Sequence, residues 1–590
     1  MIKNTATSTA LCLFALVSAG TLQADNAYLV RNLVSDIPDL ADYTDPNLMG
    51  AWGISESGSS PFWISDAGSG FSTLYSTNGS PIPLVVTIQV SKAGGSAGVP
   101  TGTVFNGTSG FALTKGNVAH FLWATLDGTI QGWNPAVNAN AVIMVDNSSS
   151  GAEYTGLTMA SNNGSTYLYA ANFHSGRIDV FDSSFNPMFG FAGFHDPLVP
   201  PTYAPFNVQA LNGNLYVAFA QQNSGQNFAN SGPGLGIVDV FAPNGLLIQR
   251  IAAGGTLNSP WGLAIAPVGF GDYAGDLLVG NFGDGTINVF NPTSGAFITQ
   301  LNDILGAPIT VPSLWALQPG NGGSGGEKSA VYFTAGIPGP DNGNHGLFGR
   351  LHAAPQLTAT GVVNGGDPRG GIAPNTWITV NGANLAETTR SSNNGDIVKN
   401  ALPTELDGVS VYVNGALAYL SYISPTQINA LIPTTTAVGP AMVWTNSGGL
   451  TSSKVTIQVA ALAPACVLSS DGKHVMATHA DGTLVGPTAP APDAASPAQP
   501  GETITLYGVG FGPTNPATPN GQVITSPLAV ATQPMVMIGG ANATVVSANL
   551  TSAGQYTIQV TVPTNSASGD VPISAQVGSV TSPTGLITVQ

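Results

Sequence analysis

The sequence predicts an all-β protein, a six-bladed β-propeller followed by two immunoglobulin-like β-sandwiches. Three observations carry this. An apolar strand start recurs six times before residue 353, at Trp52-Gly53, Thr101-Gly102, Thr155-Gly156, Phe206-Asn207, Trp261-Gly262 and Trp315-Ala316. The second members are 49, 54, 51, 55 and 54 residues apart, and a near-constant period marks a repeat architecture. In the second half, strands recur at offsets of 126 to 130 residues, as in Asn375 to Gly382 (NTWITVNG) against Gly501 to Gly508 (GETITLYG). The third observation is composition: 7% charged residues, 75 Gly and 43 Pro suit short strands joined by tight turns.

The fifth repeat, Ser259 to Phe290, shows the unit most clearly. Its core LLVGNFGDGTINVFN (Leu277 to Asn291) matches LYAANFHSGRIDVFD (Leu168 to Asp182) of the third. Each is a strand, a Gly-containing turn and a second strand with alternating apolar residues, the pattern of a tight hairpin. A fourth, less regular strand is expected in five units, for example Leu84 to Val90, Ala141 to Val145 and Leu246 to Ile251. The sixth unit stops after Leu351. Ala27 to Val34 (AYLVRNLV) is an apolar strand without a unit, so it is expected to close the ring as the outer strand of the sixth blade. Insertions at Gln221 to Leu235 and Gly336 to His345, with the Gly-rich loop Lys92 to Gly98, fall on one face, often the binding face of a propeller.

At 590 residues several domains are expected. Lys3, the apolar run Ala10 to Ala19 and Leu22-Gln23-Ala24 read as a signal peptide over 1–24. The predicted organisation continues with the propeller over 25–353, a first sandwich over 354–460, a hairpin connector over 461–486 and a second sandwich over 487–590. The Pro/Ala-rich stretch Pro487 to Pro500 reads as a semi-rigid linker. Cys12 lies in the signal and leaves Cys466 alone, so no internal disulfide is expected. A net charge of −17 without a basic stripe argues against a nucleic-acid partner, and no later segment suits a transmembrane helix. The expected location is secreted, at the cell surface or in the periplasm.

Further motifs suggest relatives. Asp45-Pro46-Asn47 with Ala51-Trp52-Gly53, Asp127-Gly128-Thr129-Ile130, Ala171-Asn172-Phe173-His174-Ser175-Gly176, Asn281-Phe282-Gly283-Asp284-Gly285 and His345-Gly346-Leu347-Phe348-Gly349 lie in the propeller. Residues 28 to 352 resemble a family of exported bacterial propellers of the NHL/gluconolactonase-like type. Leu406-Asp407-Gly408-Val409, Tyr422 to Ala430 (YISPTQINA), His479 to Leu484 (HADGTL) and Pro500-Gly501-Glu502 lie beyond it. Residues 355 to 590 resemble the paired C-terminal domain of exported acidobacterial proteins, itself similar to IPT/TIG folds. The resemblance implies fold and export, and no reaction.

In such a ring, polar side chains at the ends of inner strands converge on the channel mouth. The candidate ligand-binding residues are Asp66, Asn172, Asn207 and Asn281, with Trp52, Trp261 and Trp315 as apolar walls. Their oxygens could hold Ca²⁺ in the channel. The reading favoured over this is that they cap strand ends, since most stand just before a Gly-containing turn. No catalytic set stands out. A lactonase of this shape wants a Glu at the first inner strand, where this chain has Trp52-Gly53, with Glu56 after it and Glu153 before the third blade. The preferred reading is a non-catalytic binding protein for an extracellular ligand such as a glycan or envelope component. The alternatives are an exported metal-dependent hydrolase or lactonase and a structural surface-layer component.

Overall fold

A computed structural model describes residues 27–113, 116–303, 305–339, 343–488 and 495–590. The expected signal peptide lies outside these residues. Sheets form as the repeat requires. The first blade pairs Ala51–Ser55, Phe62–Asp66, Phe71–Tyr75 and Pro81–Thr87 in sequence order. The second, fourth and fifth blades repeat this with four antiparallel strands each. The first strands of successive blades neighbour one another all round, and Leu314–Pro319 of the sixth lies against Ala51–Ser55.

Ring closure follows from one strand. Tyr28–Ser35 pairs antiparallel with Leu347–Ala353, from Tyr28 opposite Ala353 to Ser35 opposite Leu347. The sixth sheet therefore mixes both ends of the propeller segment, so its blades cannot part without breaking a ladder. The third blade differs from expectation. Among the described residues it has only Tyr154–Asn162, Ser165–Asn172 and Arg177–Phe181, plus a lone bridge between Phe181 and Pro187. Pro187, Pro197, Pro200 and Pro201 supply no amide hydrogen to a ladder, and Gly190 and Gly193 turn the chain at positive φ.

The first sandwich packs the sheet containing Gln356–Asn364, Trp377–Ala383, Gln427–Leu431 and Tyr419–Ile423 on the sheet containing Val409–Val413, Gly439–Ser447 and Val455–Val459. In the second, the long strand Ala541–Ser552 pairs with Gln555–Thr561 and also with Met535–Ile538, joining both sheets. The segment read as a connector belongs to this domain. Ala465–Cys466 and Ala477–Thr478 pair with Thr503–Val509, and Cys466, Val475, Ala477 and Val485 enter its core. Of the Pro/Ala-rich stretch, 489–494 lie outside the described residues, while Ala495–Ser496 pairs parallel with Leu484–Val485.

The three bodies are tied together. Arg350, 3% exposed, reaches Glu327 Oε1 at 2.8 Å within the propeller and Glu387 Oε1 at 2.6 Å in the first sandwich. Asn384 Nδ2 donates to the Gly269 carbonyl at 2.6 Å. Between the sandwiches, Trp377 Nε1 donates to Ala553 O at 2.7 Å and Leu402 N to Gly521 O at 2.9 Å.

Deleting residues 27–35 removes the closing ladder. The shortened chain is expected to lose the propeller's cooperative unfolding transition, read by differential scanning calorimetry. An unchanged transition would contradict closure by this strand.

Candidate functional site: the capped propeller axis

Every inner strand begins at the same face, and the residue pair that marks each repeat, near the start of its strand, lies at the axis. The second position carries Gly53, Gly102, Gly156, Asn207, Gly262 and Ala316. A Cβ at Gly102 would stand 2.2 Å from Leu157 N, and one at Gly156 2.2 Å from Asn207 Oδ1. Both separations are far inside van der Waals contact, so neighbouring blades approach backbone to backbone. One cavity between the inner strands, among Gly53, Gly102, Thr103, Asn207, Gln209 and Gln318, holds about 10 Å³, at the lower limit for one water.

Side chains from adjacent blades satisfy the inner carbonyls. Thr101 Oγ1 donates to Tyr154 O at 2.7 Å, Asn207 Nδ2 to Trp261 O at 2.8 Å, and Thr334 Oγ1 to Trp52 O. Each joins one blade to the next. Asn207 thus replaces the axial glycine of its repeat and fills the place that Gly156 vacates.

The first position supplies a cap. Trp52 and Trp315 stack with centroids 3.7 Å apart at 17°, and Phe282 stacks on Trp315 at 4.2 Å. Trp261 meets both indoles edge-on, at 6.4 and 5.8 Å, and Phe206 and Phe173 extend the cluster. Such pairs add about 0.5–1.5 kcal/mol each beyond their burial. The structure therefore brings the three predicted indoles together, but buried as a plug. Trp261 Nε1 donates to Thr155 O at 2.9 Å.

Of the polar candidates, Asn207 joins them through the Trp261 carbonyl, whereas Asn172, Asn281 and Asp66 do not. Asn172 Oδ1 accepts from Glu153 N and Ser175 N, and its Nδ2 donates to Asp179 Oδ2 at 2.8 Å. Asn281 Oδ1 accepts from Asn258 N, and its Nδ2 donates to Thr256 O, Asp284 Oδ1 and Thr286 Oγ1. These are turn-capping bonds, each within one blade or to its entry loop. Asp66 is fully buried, with neither oxygen in a hydrogen bond. Burial holds its carboxyl well above the usual range; neighbouring Thr73 opposes this, and the charges of Asp45 and Asp36 add to it. Among the described residues, no three of His, Cys, Asp and Glu come together as metal ligands.

The two glutamates weighed for a lactonase lie apart. Glu153 sits by His174 at the capped face, with Oε2 buried and unbonded; burial raises its pKa and His174 opposes the rise. Glu56 follows the far end of Ala51–Ser55, at the opposite mouth. Burial pushes its carboxyl up to about 8, against the Gln318 amide. The Gly-rich loop 320–326 covers it: a Cβ at Gly325 would lie 2.1 Å from Glu56 Oε2, and Asn321 Nδ2 ties the loop to Ser57 O and Ser60 O.

Sequence reasoning missed the phenylalanines. Phe173 and Phe282 directly follow Asn172 and Asn281, and the repeated Asn-Phe pair was the available signal. The insertion 221–235 also reaches the cap: Ala229 packs against it while Phe228 beside it is 68% exposed.

The uncharacterized protein R648 of Acanthamoeba polyphaga mimivirus is 31% identical over 343 residues, covering 56% of this chain and 82% of that protein. The chain belongs to its family. The mimivirus protein L690 matches at 31% identity with 87% of its length covered. Residues 490–590 match the IPT/TIG domain. Among solved structures, a protein of unknown function from Bacteroides thetaiotaomicron VPI-5482 is similar over 56% of this chain and 76% of its own, at 13% identity and a TM-score of 0.36.

Glu56 gives a pH test. Its folded pKa stands near 8 against an ordinary 4.5, so its neutral form is the one the fold favours. Its contribution is complete below about pH 4.5 and is lost as pH rises through about 8. Glu56→Gln should unfold later than the parent at pH 9, by about 2 kcal/mol after discounting for its partial exposure. Parallel Tm–pH profiles from pH 5 to 9 would refute this.

Proposed function

We propose that the chain is an exported interaction protein whose propeller docks a partner on its capped face. The observation that carries this reading is the filled axis. With a cavity of only about 10 Å³ between the closely approaching inner strands and an aromatic plug above it, the ring offers a surface at this end rather than a chamber. That surface has an apolar centre at Phe282, Leu126 and Ala229, and a rim of Asp127, Glu153, His174 and Asp284. The long loop of the fourth blade, 221–235, lies beside it, with Phe228 the most exposed aromatic group there. Exposed aromatic side chains beside polar rims are common binding anchors.

Export rests on the signal-like start, and with it the partner is a glycan or envelope component. The sandwiches serve as a rigid stalk, since Arg350 and Glu387 lock the first of them to the propeller. Calcium in the channel and a channel lactonase draw no support from the axial geometry.

The test is binding of the full chain to an array of bacterial envelope glycans and to purified envelope fragments. Phe228→Ser should weaken capture at least tenfold, whereas Val268→Ser, 90% exposed on a loop at the opposite mouth, should not. Equal capture by all three proteins would move the docking surface off the capped face.

A further inference from the structure

The last domain holds a side-chain constellation apart from the propeller. His479 Nδ1 lies 2.5 Å from Glu502 Oε1, and His479 Nε2 lies 3.1 Å from Ser496 Oγ. Three separate segments supply these groups: the turn after Ala477–Thr478, the strand Ala495–Ser496, and the residue preceding Thr503–Val509. Each is fixed locally. His479 N donates to Thr483 O at 2.9 Å, Gly486 N to Ser496 O at 3.0 Å, and Gln499 N to Glu502 Oε2 at 2.8 Å. Ser496 is exposed on an open cleft of about 680 Å³ whose other walls include Asp481, Thr483, Thr488 and Gln499.

We propose that this cleft is an acyl-transfer site for small neutral esters, with Ser496 as nucleophile, His479 as base and Glu502 as the residue that positions the imidazole. The order carboxylate, imidazole, hydroxyl is what activation of a serine requires. Ser496 Oγ bonds to the ester carbonyl carbon as its proton passes to His479 Nε2, and the carbonyl π pair moves onto oxygen. Collapse breaks the bond to the alcohol oxygen, which leaves with the proton from His479. Water then attacks the acyl-serine by the same proton route and releases the acid. Asp481 beside the cleft disfavours anionic substrates, hence neutral esters.

Two features set the rate and its pH dependence. Residue 497 is proline, so the usual oxyanion donor after the nucleophile is missing. Acylation is therefore expected to be slow, and a reactive phosphonate to serve better than an ester as probe. Nε2 also lies 3.1 Å from the Ser496 carbonyl, which favours the protonated ring. Burial lowers the His479 pKa, but Glu502, that carbonyl and Asp481 outweigh it, so the net direction is up. The active neutral imidazole accordingly appears above the ordinary histidine range.

A fluorophosphonate probe on the full-length protein tests this. Ser496 Oγ bonds to phosphorus, the P–F bond breaks, fluoride leaves, and the proton goes to His479. The expected result is one adduct per chain, mapped to Ser496, forming faster as pH rises and at least tenfold slower in His479→Gln. Glu502→Gln should shift the pH profile downward and lower its plateau, which a purely structural clamp would not do. Ser496→Ala, at an exposed hydroxyl, should keep the parent Tm and lose both the adduct and any turnover of p-nitrophenyl acetate. Absence of an adduct at Ser496, or equal labelling in His479→Gln, overturns the proposal.

Discussion

The closeness of the inner strands at the propeller axis is the constraint on which the remainder depends. Blades that approach until a Cβ at Gly102 would touch Leu157 N leave no room for side chains at that level. Burying inner carbonyls so deeply requires partners, because an unpaired backbone group costs about 1–3 kcal/mol. Thr101, Asn207 and Thr334 provide them from adjacent blades, so the bonds that satisfy the axis also hold neighbouring blades in register. Directly above the small residues there is space, and Trp52, Trp261 and Trp315 fill it. Glycine and tryptophan in adjacent positions are two halves of one packing solution.

That solution bears on function. A ring with a filled axis has only its faces to offer, and loop length decides which face is elaborated. The fourth blade places its insertion at the capped face, where Ala229 packs on the aromatic cluster, while at the opposite end the Gly-rich loop 320–326 covers Glu56. Arg350 serves a different end. Buried between Glu327 and Glu387, it would leave two carboxylates facing each other if removed, so the propeller and first sandwich are fixed at the expense of desolvating a charge. The second sandwich adds its own polar cleft, remote in sequence from the ring.

Much of the fold was legible because its period is written in paired residues. Trp-Gly starts and Asn-Phe-x-x-Gly turns locate the blades, and the stranded segment at Ala27 has no other place to pair. What Gly does there was not legible: it reads only as part of a strand start, and the neighbouring blade shows that it is an approach point. The same blindness applies to Asn207, which looks like a ligand in sequence and is a cross-blade bond in space. The fourth strand of the third blade was expected from symmetry, but local prolines override the repeat. In the last domain, His479, Ser496 and Glu502 are 17 and 6 residues apart, spacings with no helical or strand meaning, so only the fold brings them together.

The most direct test of this account is the unfolding free energy, by urea titration, of Gly102→Ala beside Gly58→Ala. Gly58 has open space where a Cβ would go, so its variant should stay within about 0.5 kcal/mol of the parent. Gly102→Ala should lose about 2–4 kcal/mol or fail to close the ring, since the methyl group meets backbone that cannot yield. Equal stability of the two variants would show that the blades do not meet at the axis as described.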